Sequence, residues 1–287
     1  MARIVGSIGC THVPSIGAAM AKGLQSDPYW EPFFSGFPAA HRWLEQVKPD
    51  VAVVLYNDHG LNFFLDNLPT FAIGAADSYQ NEDEGWGIPA LGSFPGNAKL
   101  SWHLIESLVA EEFDLATCQR MLVDHAFTLP LRLLWPSADN AFPIATVPIS
   151  INTVQFPLPS PRRCFRLGQA IGRALRSFPE DLRVVMVATG GLSHQLDGAR
   201  AGFINRTFDL DCLDRLVDDP ESLSRLTVME LVENAGTQGV EVMAWIAARA
   251  ALEGHVTRVY GNYHIPISNT AAGLLVLGND PIPSETG

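Results

Sequence analysis

The chain has 287 residues, 47% of them hydrophobic and 17% charged, which supplies a core, excludes a charge-rich disordered polymer and fits one large α/β domain or two small ones. Nineteen basic against 31 acidic residues leave a formal charge of −12, the wrong sign for nucleic-acid phosphates or an anionic membrane surface. No uncharged apolar run approaches transmembrane length, and the start MARIVGSIGC lacks the basic-then-apolar order of a secretory signal, so a cytoplasmic location is the expectation.

Taken in chain order, RIVGSIG near the start reads as a buried strand, being short, aliphatic and free of internal charge. A helix is predicted over 37–48, followed by VAVVLYNDHG at 51–60, where six apolar or aromatic residues deliver Asn57, Asp58 and His59 in succession. The Gly- and Pro-rich stretch over 76–98 is too long for a simple connection and reads as a lid or a partner surface. A helix over 98–111 and a strand FPIATVPIS at 142–150 follow. In PRRCFRLGQAIGRALRSF, residues Cys164, Phe165, Gly168, Ile171, Leu175 and Phe178 recur at helical spacing, while Arg162, Arg166, Arg173 and Arg176 fall elsewhere and Pro161 suits a helix start. VVMVATG at 184–190 is another buried strand, helices are predicted over 208–217 and 238–252, and AAGLLVLG at 271–278 is a last strand. Strands alternating with helices predict an α/β fold: a single domain over 1–287 with a mixed, largely parallel central sheet covered by helices on both faces. The four cysteines, Cys10, Cys118, Cys164 and Cys212, stand singly without a CxxC pair and read as buried reduced thiols.

Sheets of this kind place their sites beyond the carboxyl ends of the strands, and that rule sorts the eight histidines. His12 follows the first strand, His59 follows VAVVLYN, and His194 follows VVMVATG through Gly190-Gly191-Leu192-Ser193. His41 and His103 lie in amphipathic helices and read as surface or boundary residues, and His255 lies in a Gly-flanked turn. His125 in MLVDHAF and His264 in YHIPISNT adjoin polar residues suited to a pocket wall. Between Asn234 and Ala248, Glu241 is the one charged residue, set in an apolar helix. A buried carboxylate needs a cation, a hydrogen-bonded partner or a metal; the plain alternative is a salt bridge to an arginine. Two neutral imidazoles and one carboxylate with open positions suit non-haem Fe(II), and a zinc hydrolase accepts the same donors. No HExxH, Walker loop, GxGxxG turn or GxSxG elbow occurs.

The assembled stretches resemble the class III, LigB-type extradiol ring-cleaving dioxygenases: THVPSIGAAM at 11–20, YNDH at 56–59, PTFAIG at 69–74, DEGWG at 83–87, VDH at 123–125, RCF at 163–165, SFPEDL at 177–182, TGGLSHQL at 189–196, ARAGFIN at 199–205, GVE at 239–241 and YHIPISNTA at 263–271. They occur in family order along nearly the whole chain.

The resemblance implies a LigB-like fold in which His12, His59 and Glu241 bind Fe(II) and His194 is the acid/base residue. His194 would take a proton from one hydroxyl of a catechol and later return one, a task suited to an imidazole. His125 would hydrogen-bond substrate or O2, and Ser268 and Asn269 would contact a substrate carboxylate. Asp58 would orient an imidazole or shape the turn. The implied reaction is extradiol cleavage of a carboxylated catechol such as protocatechuate, with gallate, 3-O-methylgallate and other substituted catechols as alternatives. DEGWG continues here as IPALGSFPGNAKL and VDH as AFTLP, which leaves the substituent open. A separate small α-type subunit covering the active site and an oligomeric assembly are further expectations, with 76–98 as the candidate contact surface.

Overall fold

A computed structural model describes residues 1–88, 92–136, 142–266 and 268–279. The strands are Arg3–Cys10 (β1), Val51–Tyr56 (β2), Phe71–Gly74 (β3), Ser78–Asn81 (β4), Phe94–Pro95 (β5), Ala116–Cys118 (β6), Leu122–Val123 (β7), Ala145–Ile151 (β8), Arg183–Thr189 (β9), Val256–His264 (β10) and Ala272–Asn279 (β11). Eight of them form one sheet in the order β10-β11-β1-β9-β2-β8-β3-β6. The central run β1, β9, β2 and β8 is parallel, whereas β11 pairs antiparallel with β1 and with β10, and β3 antiparallel with β8. This is the expected mixed α/β architecture.

Helices cover both faces because the central strands are apolar on both. Val51, Val53 and Leu55 join one apolar layer, while the alternate residues Ala52, Val54 and Tyr56 join the other. The first layer packs under Ala98–Ala110 (the fourth helix, after Pro14–Ala21, Glu31–Phe34 and Phe37–Val47), under Pro161–Ser177 and under Val242–Ala250. The second packs under Phe37–Val47 and His125–Leu134. In chain order these helices are α1 (Pro14–Ala21), α2 (Glu31–Phe34), α3 (Phe37–Val47), α4 (Ala98–Ala110), α5 (His125–Leu134), α6 (Pro161–Ser177), α7 (Arg206–Asp218), α8 (Pro220–Ser224), α9 (Val228–Ala235) and α10 (Val242–Ala250).

Several elements differ from the sequence expectation, each for a local reason. The helix predicted over 238–252 opens as a tight 3₁₀ turn, Gly239–Glu241, before α10 begins. Strands β3 and β6, of four and three residues, are too short to show a period. Edge strand β10 carries Arg258 and Asn262 and so lacks the apolar run of a central strand. Helix α5 hides behind an internal Pro130 and is started by Asp124, whose carboxylate accepts from Ala126 N–H. The stretch 76–98 is partly ordered by pairing of β4 with β5 and with β7; its residues 89–91 lie outside the described residues.

Helices α6 and α10 cross closely. A Cβ added at Gly168 would stand 2.0 Å from the Ala247 carbonyl oxygen, and one at Gly172 would stand 2.4 Å from that of Ala251. Since α10 follows directly from Glu241, this contact sets how near the carboxylate comes to the sheet. Gly168→Ala is expected to destabilise the protein by about 1–3 kcal/mol through overpacking, measured as a lower denaturant midpoint with an unchanged slope.

Candidate active site

Strands β1, β9 and β2 are parallel neighbours, so their carboxyl ends share one rim. His12 lies two residues past β1, His59 three past β2, and His194 five past β9. His125 opens α5 and Glu241 ends the 3₁₀ turn. The ring centroids of His12 lie 5.2 Å from those of His59 and 5.4 Å from those of His125, and the His59 and His125 rings lie 4.4 Å apart. Glu241 Oε1 is 3.6 Å from His12 Nε2, and its Oε2 is 3.8 Å from His194 Nε2. Five residues from remote parts of the chain therefore meet at the sheet rim.

Each imidazole has its Nδ1 engaged. That of His12 faces Thr189 Oγ1 at 3.2 Å, that of His59 faces Asp124 Oδ2 at 3.1 Å, that of His125 faces Glu84 Oε1 at 2.9 Å, and that of His194 donates to the Leu192 carbonyl at 2.9 Å. Partners of this kind fix ring orientation and leave Nε2 for the site. Asp124 serves twice, since its Oδ2 also accepts the His59 backbone N–H while its Oδ1 caps α5. Glu84 likewise accepts the backbone N–H of His125.

Glu241 is 6% exposed. Its oxygens accept from Gly191 N–H at 2.7 Å and from the Asn57 amide at 3.0 Å, and among the described residues no lysine or arginine pairs with it. Gly190 leaves the room: its φ is +94°, and an added Cβ would stand 2.8 Å from both Cβ and Oε2 of Glu241. The indole N–H of Trp245, one turn into α10, donates to the Gly190 carbonyl and ties the helix to this turn.

Charge follows from this geometry. Burial would raise the Glu241 carboxyl, but His12, His194 and His59 around it hold it well below the usual carboxylate range. Burial dominates at His12 and lowers it despite Glu241. At His59 burial also acts downward, yet the Asp124 hydrogen bond and the charges of Asp124, Glu241 and Glu84 outweigh it and push the imidazole up to about 9. A buried carboxylate among imidazoles, without a fixed cation, is a donor set that fits a divalent ion. The atoms that could hold one are Nε2 of His12, His59 and His125 and a Glu241 oxygen, those of His59 and Glu241 being engaged by the Asn57 amide. Nitrogens of His12, His59 and His125 lie within 4.8 Å of one another, as do ligand atoms of Glu84, Asp124 and His125, and Glu241 belongs to neither group. The Asn57 amide stands between Glu241 Oε1 and His59 Nε2, 3.2 Å from the latter, so metal ligation by His59 and this hydrogen bond exclude each other.

Other expected residues take different positions. Asp58 does not touch an imidazole: it accepts from the backbone N–H groups of Gly60, Asn62 and Phe63 and from the Asn62 amide, and so builds the turn after β2. The salt bridge to an arginine that Glu241 might have made is absent among the described residues. Ser268 is half-buried with its hydroxyl 3.5 Å from the Thr270 carbonyl, and Asn269 is exposed. Thr270 pairs with His194 in an isolated bridge, which brings this segment beside the site. His264 lies on β10 with its ring 5.8 Å from that of Tyr29, outside the cluster. His41 and His103 bond the carbonyls of Leu133 and Ala174 between helices.

Asp124 and Glu84 were given no role from sequence, and Asn57 was noted only as the first residue of NDH. Asp124 adjoins His125 in VDH and Asn57 lies two residues before His59 in YNDH, whereas Glu84 in DEGWG has no histidine near it in the sequence. Asp124→Asn, which keeps a side-chain oxygen for the α5 cap, is expected to weaken divalent-metal affinity about 10- to 100-fold, measured by metal titration of the apo protein, with little change in melting temperature.

Residues 6–273 match the family model described as the catalytic LigB subunit of aromatic ring-opening dioxygenase. A gallate dioxygenase of Pseudomonas putida is 41% identical over 198 residues, 69% of this chain, which spans 58% of that protein's length. A 2,3-dihydroxyphenylpropionate/2,3-dihydroxicinnamic acid 1,2-dioxygenase of Photorhabdus laumondii is 31% identical, with 83% of this chain and 87% of that one covered. In fold, the chain is similar to the crystal structure of an uncharacterized protein from Escherichia coli K12, at a TM-score of 0.55 and 13% identity over 96% of this chain and all of that one. The chain belongs to the LigB family and is an enzyme of the extradiol dioxygenase type.

Proposed function

We propose that the protein opens the ring of a carboxylated catechol, protocatechuate or gallate among them, with Fe(II) held by His12, His59 and Glu241. The observation that carries this reading is the buried Glu241 carboxylate facing His12 and His194 at the rim where His59 also emerges. Bound there, Fe(II) supplies the electron-transfer route by which triplet dioxygen reacts with a closed-shell diol.

The chain's own groups do the rest. His194 keeps its Nδ1–H on the Leu192 carbonyl, so Nε2 accepts a proton from a diol hydroxyl and later returns it, leaving a hydroxymuconic semialdehyde. His125, oriented by Glu84, hydrogen-bonds substrate or O2 through Nε2. Ser268 and Asn269, beside His194 through the Thr270 bridge, are assigned to the substrate carboxylate. His12, His125, His194 and Glu241 are buried, which strengthens their contacts.

A small α-type subunit over the active-site mouth is part of the same reading. Phe64, Leu65, Trp86 and Leu196 are exposed apolar side chains on segments that carry or touch His59, His125 and His194, and a partner there would remove them from water. Among the described residues no helix is long and apolar enough to cross a membrane.

A second reading, a zinc-dependent hydrolase, draws on the three close imidazoles. Anaerobic loading with Fe(II), then protocatechuate, gallate or unsubstituted catechol with O2, separates the two. Stoichiometric oxygen uptake with a yellow ring-opened product is the expected result; metal-dependent hydrolysis without oxygen would replace this reading with the second.

Two substitutions divide the roles. Glu241→Ala is expected to abolish iron retention, measured by metal analysis after desalting. His194→Phe is expected to keep iron but lower kcat by at least about 100-fold; equal iron loss in both would contradict the assignment.

A further inference from the structure

We propose that Asp209 is a positioning residue for His194, acting through the single peptide group that joins Leu192 to Ser193; this rests on the reading of His194 as the proton-transfer residue.

Asp209 is 1% exposed and lies in the first turn of α7. Its Oδ1 accepts Ser193 N–H at 2.8 Å, and its Oδ2 accepts the Ser193 hydroxyl at 2.6 Å and the Tyr263 hydroxyl at 2.9 Å. The Ser193 oxygen in turn accepts Asn205 N–H. Among the described residues no lysine or arginine forms an ion pair with Asp209.

The decisive feature is which peptide Asp209 grips. The N–H of Ser193 and the carbonyl of Leu192 belong to one planar amide. At one end of that amide stands the Asp209 carboxylate, and at the other the Nδ1–H of His194, 2.9 Å from the carbonyl oxygen. An anion accepting the N–H polarises the amide and makes its carbonyl a stronger acceptor. The carbonyl therefore holds Nδ1 protonated and turns Nε2 toward Glu241. The His194 backbone N–H is fixed separately by the Ala235 carbonyl at 2.7 Å, so the main chain is anchored while the imidazole takes its tautomer from the amide. A buried carboxylate is a costly way to hold a turn, because well-packed apolar groups often stabilise as much. A role in orienting a working imidazole accounts for its charge.

The test uses full-length Asp209→Asn, which keeps an acceptor oxygen but removes the charge. In metal-free, ¹⁵N-histidine-labelled protein, His194 is assigned by the loss of its signals in His194→Phe. The expected spectrum shows Nδ1 protonated and Nε2 bare in the native chain and mixed tautomers in Asp209→Asn. In Fe(II)-loaded protein, with the best of protocatechuate, gallate and catechol, kcat of Asp209→Asn should fall at least about tenfold while KM and iron content change less than about twofold. In the His194→Phe background the same substitution should cost nothing further. Should Asp209→Asn fail to fold, Ser193→Ala removes one of the two links between Asp209 and this residue and carries the same test, with a smaller loss of kcat confined to the His194 background. An unchanged tautomer, or an equal loss in both backgrounds, overturns the proposal. Native turnover by His194→Phe would instead overturn the proton-transfer reading, while the tautomer comparison still judges the link to Asp209.

Discussion

A carboxylate enclosed in the protein with no lysine or arginine beside it among the described residues is the constraint from which the rest of this site follows. Taking an ion out of water costs several kcal/mol unless its oxygens are satisfied, and Glu241 is satisfied by Gly191 N–H and the Asn57 amide, with the imidazoles of His12 and His194 3.6 and 3.8 Å away. Such an arrangement tolerates nothing misplaced. The Gly190 turn must leave room at a positive φ, α10 must be held close by its crossing with α6, and the Trp245 indole must bind the turn to the helix. Packing far from the chemistry thus sets the position of one oxygen pair.

The second organising feature is the commitment of every site imidazole at Nδ1. A hydroxyl, two carboxylates and a backbone carbonyl hold the four rings, and each Nε2 is left for work in the site. These partners also have structural duties: Asp124 caps α5, Glu84 pins the start of the same helix, and Asp209 secures the turn after β9. Combining both duties in one side chain makes the orientation of a ring as durable as the helix or turn that supplies its partner. The parallel run β1, β9 and β2 then provides a mount whose strands cannot shift register without turning their side chains to the wrong face.

Much of the architecture was legible in the sequence because the relevant signals are local. Short, β-branched, uninterrupted apolar runs read as strands covered on both sides, and the periodic apolar stripe of α6 reads as a helix lying on them. The rule that sites gather beyond strand carboxyl ends singled out His12, His59 and His194, and the isolation of Glu241 among apolar neighbours marked it as needing a partner. Edge strand β10 escaped because an edge carries charge, and α5 escaped because Pro130 interrupts its pattern. Of the two roles the sequence offered Asp58, the turn is the one it takes. Two adjacent acids near a histidine look alike in one dimension, and Asp58 closes its own turn whereas Asp124, 65 residues from His59 in the chain, reaches the ring.

By itself, then, the sequence determined the central strands and long helices, the class of fold and the residue types able to hold a metal and move a proton, because hydrophobic period and side-chain chemistry are written residue by residue. Only the tertiary structure decided which nitrogen of each histidine is free, that Glu241 meets no arginine among the described residues, that Asn57 stands between two donors, and that Asp209 reaches His194 through one amide. Those are distances between groups far apart along the chain, and they exist only once strand order and helix crossing have brought the groups together.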